Sequence, residues 1–188
     1  KRLIEDNFKL FKFDELRQKS TTTLSCFFNS AIPAFERLQK EGKIDHWCIG
    51  GLGQEEAILK ALDHSKPPSA VQCVVNPLNS AGAIGYVSEN FNPHSVLSAC
   101  QHHKIPILAI RAVQAGALTS AMDRLPHSSG FDQSDFEDFR KAQPFRDLAS
   151  DWNESPASLA HRYALSMRDV SSVILGVKNR KELIECIE

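Results

Sequence analysis

Gly176, Lys178, Asn179, Arg180 and Glu182 crowd together near the end of the chain, between two apolar segments. Asn179 is a good helix N-cap, and Glu182 three positions on completes a capping-box pair. A helix therefore starts here, with Leu183, Ile184 and Ile187 supplying its apolar face. Ahead of it, Val173, Ile174 and Leu175 form the short apolar run that a doubly covered parallel strand needs. Gly176 breaks that run and lets the backbone turn closely. A strand, a glycine turn and a helix N-terminus beside Lys178 and Arg180 make a cradle for an anion. The same residues equally describe an ordinary strand-to-helix turn with solvated basic side chains, and the rest of the chain has to decide.

Other chemistry-bearing residues carry less. Cys100, His102 and His103 suggest a metal, but adjacent histidines point in different directions and no second cluster has zinc spacing, so no metal site is expected. His46 reads as a strand residue, and His161, on a periodic helix, as a surface or packed one. Gly50-Gly-Leu-Gly53 follows a strand but is neither a dinucleotide fingerprint nor a P-loop. Cys48 lies near that turn with nothing beside it to lower its pKa.

The 188 residues, 42% hydrophobic and 24% charged, are enough for one real core. A formal net charge of -1 gives no electrostatic case for nucleic acid or an acidic membrane surface. No apolar stretch reaches transmembrane length and the first residues lack a signal-peptide core, so a cytoplasmic protein is expected. The five cysteines are odd in number and widely spaced, mostly in apolar runs, and read as reduced core residues.

These residues need elements to position them. In residues 1–33 the pattern is weak: Leu3, Ile4, Phe8 and Phe11 fall at helical spacing, Asp14 to Lys19 continue a surface helix, and Leu24 to Phe28 read as a short buried strand. Regularity then sets in. Helices are expected over Pro33–Glu41, ended by Gly42, over Gln54–Leu62 and from Asn92-Pro93 to Cys100. Strands are expected at Ile44–Ile49, Val71–Val75 and Ile105–Ile110. Residues 122–151 look like an excursion with its own helix near Ser134 to Ser150. Ser155-Pro156 caps a helix whose apolar face is Leu159, Ala160, Tyr163, Ala164 and Met167. Repeated β-α alternation with short turns predicts an α/β protein with a parallel sheet, and doubly wound and barrel forms both fit.

From about Phe35 onward the chain resembles the aldo/keto reductases, NADPH-dependent (β/α)8 TIM-barrel oxidoreductases, and looks like the C-terminal half of that barrel. Ala34 to Ile44 resembles the family's helix and Gly-Lys-Ile lead-in to a strand. Val71-Gln72 resembles the strand whose glutamine faces the nicotinamide. Ile105 to Thr119 resembles the strand and loop over the pyrophosphate, and Ser155 to Leu165 the penultimate helix. The closing strand and turn resemble the binding site for the adenosine 2'-phosphate. The resemblance implies one barrel domain over 1–188, with 1–33 a remnant of its N-terminal half. It implies NADP as cofactor and a small-molecule carbonyl substrate. It puts Gln72 on the carboxamide, the backbone near Gly116 and Leu118 along the pyrophosphate, Lys178 and Asn179 at the 2'-phosphate beyond Gly176, and Glu182 and Glu185 at the adenine or ribose edge.

The sequence also departs from that pattern. The family's Ser-Asn pair after the strand at Trp47 is replaced by Gly50-Gly51. Arg111-Ala112 stands where Ser-Pro is common, and Arg111 is either a compensating phosphate ligand or a solvated strand-end arginine. Cys186 replaces an asparagine. The family's proton donor is a tyrosine tuned by neighbouring charge. Neither Tyr86 nor Tyr163 sits in that motif, and no histidine follows Phe27-Phe28, so no catalytic residue is assigned. Three functions remain open: a reductase whose catalytic acid lies outside this sequence, a non-catalytic nucleotide-binding or regulatory protein on the same fold, and an unrelated α/β interaction domain. Oligomeric state is open.

Overall fold

A computed structural model describes residues 22–84, 87 and 90–187, without the side chains of 185–187. The helical spacing over Leu3–Lys19, Tyr86 and the side chains of Glu185, Cys186 and Ile187 lie outside the described residues. The chain divides into two compact units, Lys1–Trp47 and Cys48–Glu188.

In the first unit the strand expected over Leu24–Phe28 is helical instead. A turn at Leu24–Cys26 leads into a π-helical segment, Phe27–Ala31, and then into α1, Ile32–Lys40. Thr23 caps the start, its hydroxyl accepting from the Cys26 amide at 3.2 Å. A strand must find its hydrogen bonds on a neighbour, whereas a helix makes its own, and this cap tips a short apolar run towards the helix. The π turn has an identifiable cause. Pro33 has no N–H to donate, its ring crowds the preceding turn, and Ile32 donates to Phe27, five residues back. Trp47 is buried, its ring stacked on Phe35 at 5.1 Å and edge-on to Phe27 at 6.2 Å.

The second unit carries a four-stranded, all-parallel sheet in the order β1-β2-β3-β4: Cys48–Gly50, Ala70–Val74, Ile107–Ile110 and Val170–Val173. Between them run α2 (Glu55–Leu62) and α3 (Pro93–His103), then α4 (Gln133–Lys141), α5 (Gln143–Asp151) and α6 (Pro156–Ser166), and α7 (Arg180–Ile187) follows β4. One sheet face is closed. Val71, Cys73, Ile107 and Ala109 are fully buried against Ile58 and Leu62 of α2 and Val96, Leu97 and Cys100 of α3. Each large apolar side chain buried there contributes about 1.5–3 kcal/mol before ordering costs are counted. On the other face Gly50, Gln72, Leu108 and Ser172 stand in register across all four strands, and Gln72 and Ser172 are exposed.

The closing strand falls three residues earlier than its apolar run suggests. Among the described residues β4 pairs only with β3, so Ile174 and Leu175 are 44% and 36% exposed rather than doubly covered. Leu183 and Ile184 of α7 are exposed as well. Of the described cysteines, Cys73 and Cys100 are core residues and Cys26 and Cys48 are exposed, so the expectation of core thiols holds for half of them. Cys73 and Cys100 lie 3.7 Å apart, and their hydrogen bond, followed by burial, pushes the Cys73 thiol up.

The excursion at 122–151 is two helices, not one, because Pro144 cannot donate into the end of α4 and instead opens α5. Asn92 caps α3 as expected, accepting from the His94 amide at 3.1 Å. In α6 the buried face is rotated from the expected one. Ala157, Ala160, His161 and Ala164 face inward, while Tyr163 is exposed, because the small alanine side chains allow close approach and push the bulkier residue out.

His161 yields a pH prediction. Its Nδ1–H donates to the Ala157 carbonyl at 2.7 Å, and burial lowers its pKa against the opposing effect of that bond. The fold thus keeps the ring neutral where the unfolded chain, with an ordinary pKa of about 6.5, takes up a proton. Stability is therefore lost as the pH falls through about 6.5, until the folded ring also protonates. His161→Gln should flatten this slope of urea midpoint against pH, and an unchanged slope would show that His161 does not contribute.

Candidate functional site

The C-terminal ends of β3 and β4 open onto a cleft of about 590 Å³, inside the size range of ligand pockets. The segment after β3 supplies one wall through Val113, Ala115, Gly116 and Thr119–Ala121. The turn after β4 supplies the other through Gly176, Val177, Lys178 and Asn179, with Lys181 and Glu182 from the first turn of α7. Asp123, Arg124, Ser155 and Ala157 complete it. Three cationic residues, Arg124, Lys178 and Lys181, and two acidic ones, Asp123 and Glu182, are thus among its lining residues.

The capping-box-like pair anticipated from sequence is present. The Glu182 amide donates to Asn179 Oδ1 at 3.0 Å and Asn179 Nδ2 donates to Glu182 Oε1 at 2.9 Å. Glu182 Oε2 accepts from the Lys178 amide at 2.7 Å, one residue ahead of the cap. Both oxygens of Glu182 are therefore occupied in holding the turn. Lys178 reaches across the cleft to Asp123, and that hydrogen bond is the largest cause of the lowered Asp123 pKa. An added Cβ at Gly176 would meet nothing within 4 Å, so this glycine leaves space in the cleft.

Five of the sequence-derived site residues, Gly116, Gly176, Lys178, Asn179 and Glu182, meet around this one cleft. Three others are elsewhere. Gln72 is exposed on the open sheet face. Leu118 is fully buried and its amide donates to the Val113 carbonyl at 3.1 Å. Arg111 is neither a cleft residue nor a solvated one. Its Nε donates to Gln114 Oε1 at 2.9 Å and its Nη2 to Asp135 Oδ1 at 2.8 Å, because the loop after β3 folds back under α4. Burial lowers its pKa and the Asp135 charge opposes that shift. For Glu185 only the backbone is described.

Sequence reasoning missed Asp123, Arg124 and Lys181 as cleft residues. Asp123 and Arg124 open the irregular excursion, and their only signal was a pair of opposite charges just after the glycine-containing loop. Arg124 is anchored on three sides. Its Nη1 donates to the Ala115 carbonyl at 2.7 Å, its Nη2 to Asp135 Oδ2 at 2.9 Å, and its Nε lies 3.7 Å from Asp132 Oδ2. Among the described residues no group of three or more His, Cys, Asp or Glu side chains is placed to hold a metal ion.

The sequence profile of the aldo/keto reductase family matches residues 1–188. The chain belongs to the aldo/keto reductase family. No curated protein matches it. Among solved structures it is similar to MGS-M4, an aldo-keto reductase enzyme from a Medee basin deep-sea metagenome library. That match has a TM-score of 0.50 at 12% identity and covers 88% of this chain and 55% of the other, so it concerns the fold, and the chain spans about half the length of that relative. Aldo/keto reductases are (β/α)8 barrels, and four parallel strands in sequential order are what part of such a barrel provides. The reading as an unrelated interaction domain is thereby set aside.

The Gly50-Gly51 departure from the aldo/keto reductase pattern has a steric basis. The Gly51 amide donates to the Gln72 carbonyl at 2.8 Å, and a Cβ on Gly51 would stand 2.9 Å from that oxygen and 3.0 and 3.1 Å from methyls of Val71 and Val96. Gly50 has nothing within 4 Å of the equivalent position. Restoring the family pair should therefore be asymmetric in urea unfolding. Gly51→Asn is expected to cost about 1–3 kcal/mol through overpacking, and Gly50→Ser to stay within about 0.5 kcal/mol of the parent. Equal effects would contradict the close approach at Gly51.

Proposed function

We propose that this chain is the cofactor-binding part of an NADP-dependent oxidoreductase that transfers hydride between the nicotinamide and an aldehyde or ketone, with its proton donor outside this sequence. The observation that carries the reading is the cleft itself. Lys178 and Lys181 stand at a helix N-terminus beyond the end of β4, with Arg124 among the lining residues, where barrels commonly hold phosphate. Lys178 takes the 2'-phosphate, exchanging its contact with Asp123 for a more highly charged partner. Asn179 and Glu182 hold the turn that presents it. The pyrophosphate lies along Ala115 and Gly116, and Arg124 secures the Ala115 carbonyl from behind. Gln72, on the open face of β2, meets the carboxamide. The bound cofactor supplies the hydride, and the chain supplies orientation and charge. We also place the protein in the cytoplasm, a reading supported by four free thiols among the described cysteines.

A second reading, nucleotide binding without catalysis, is favoured by Gly51, whose site has no room for the side chain that would hold the nicotinamide. Titration with NADPH and NADH, followed by an assay for carbonyl reduction, separates the two. NADPH binding with turnover supports the reductase and binding without turnover the second reading. No binding would defeat both.

A further inference from the structure

The segment that lines the cleft after β3 is strained. Arg111, Gln114 and Ala115 have φ values of 55°, 47° and 52°, in the left-handed region that costs a non-glycine residue about 1–2 kcal/mol. Such conformations persist only where surrounding contacts over-determine them. Here each one traces to the same helix. Arg111 donates to Asp135 of α4 at 2.8 Å. The Gln114 side chain, fully buried, donates to Asp138 Oδ2 at 2.7 Å and to Ser80 Oγ at 3.2 Å. The Ala115 carbonyl is held by Arg124, whose other guanidinium nitrogen donates to Asp135 at 2.9 Å. Asp135 thus clasps one arginine with each oxygen, on either side of the turn Gln114–Gly116, and also accepts from the Ala83 amide at 2.9 Å.

We infer that Asp135, assisted by Asp138, is a positioning residue of the cofactor site: the excursion helix α4 holds the strained turn in the shape that receives a pyrophosphate. Asp135 touches no ligand and acts through Arg111 and Arg124. This inference rests on the dinucleotide reading above. Its physical content is separable, because loss of the Asp135 contacts would alter the part of the cleft formed by Val113–Gly116 and Arg124, leaving the Lys178–Glu182 turn intact.

Asp135→Asn keeps the shape and removes the charge. Calorimetry with NADP+ should show affinity reduced about tenfold, a change of about 1.4 kcal/mol. Adenosine 2'-monophosphate, which has no pyrophosphate, should bind parent and variant equally. Amide hydrogen exchange at Gly116, Ala117 and Leu118, whose N–H groups close the turn, should accelerate, while exchange at Val71 and Ile107 in the sheet stays unchanged. Equal losses for both nucleotides, an unchanged NADP+ affinity, or unchanged exchange at the turn would each overturn the positioning role. A parent protein that binds neither nucleotide would instead overturn the cofactor reading. If Asp135→Asn does not fold, Asp138→Asn, which acts through Gln114 and Ser80, makes the same comparison.

Discussion

Lys178→Ala is expected to weaken NADPH binding by about thirtyfold while changing NADH binding by no more than about twofold. A hydrogen bond to a charged group is worth about 1.5–3 kcal/mol when formed, and about 1.4 kcal/mol corresponds to a factor of ten. Only NADPH carries the 2'-phosphate that would use this ammonium. The truncation also strands Asp123, whose pKa is lowered chiefly by its hydrogen bond from Lys178 and whose unpaired carboxylate would then repel the incoming phosphate. Both contributions act on one ligand and spare the other. Because Lys178 and Asp123 are largely exposed, the difference should shrink as salt is added. Parallel titrations at low and high ionic strength measure it, and equal losses for the two nucleotides would defeat the assignment of Lys178.

Gly82→Ala should destabilise the fold by about 3 kcal/mol or more, as expected when a buried charge network loses its geometry. Gly82 has φ +61°, so any side chain there is strained. A Cβ would fall within contact distance of Asp135 Oδ1 and Gln114 Nε2, and 2.6 Å from Arg111 Nη2. These are side-chain ends that in isolation would move aside. Here they are bonded to one another, with Asp135 and Gln114 almost fully buried and Arg111 partly so, and moving one leaves a charged partner unsatisfied. Urea unfolding should show a lower midpoint with an unchanged slope. A midpoint within experimental error of the parent would mean that the network yields.

What could be read from sequence was what lies close together along the chain. The Asn179–Glu182 pair, the Asn92 cap and the alternation of helices and parallel strands are short-range and were legible, but not every strand end was: the strand expected at Ile44–Ile49 is Cys48–Gly50, so His46 lies ahead of it. The Leu24–Phe28 segment misled because an apolar run of five residues fits a strand or a helix, and a threonine cap and a proline decided it. The end of β4 misled for the opposite reason: Ile174 and Leu175 are strand-like in composition, but pairing on a single edge leaves them exposed. The arginines were illegible. Asp135 meets Arg111 across 24 positions and Ser80 meets Asp138 across 58, and no periodicity announces such a contact. The buried aspartates of α4, three residues apart on one face, were the signal that was available.

A structure of the protein with NADP+ bound tests the central claim most directly. The account predicts the 2'-phosphate within about 3 Å of the Lys178 ammonium and the pyrophosphate against Ala115 and Gly116, beyond the C-terminal ends of β3 and β4. Cofactor bound at the opposite ends of these strands, with Lys178 still on Asp123, would contradict it.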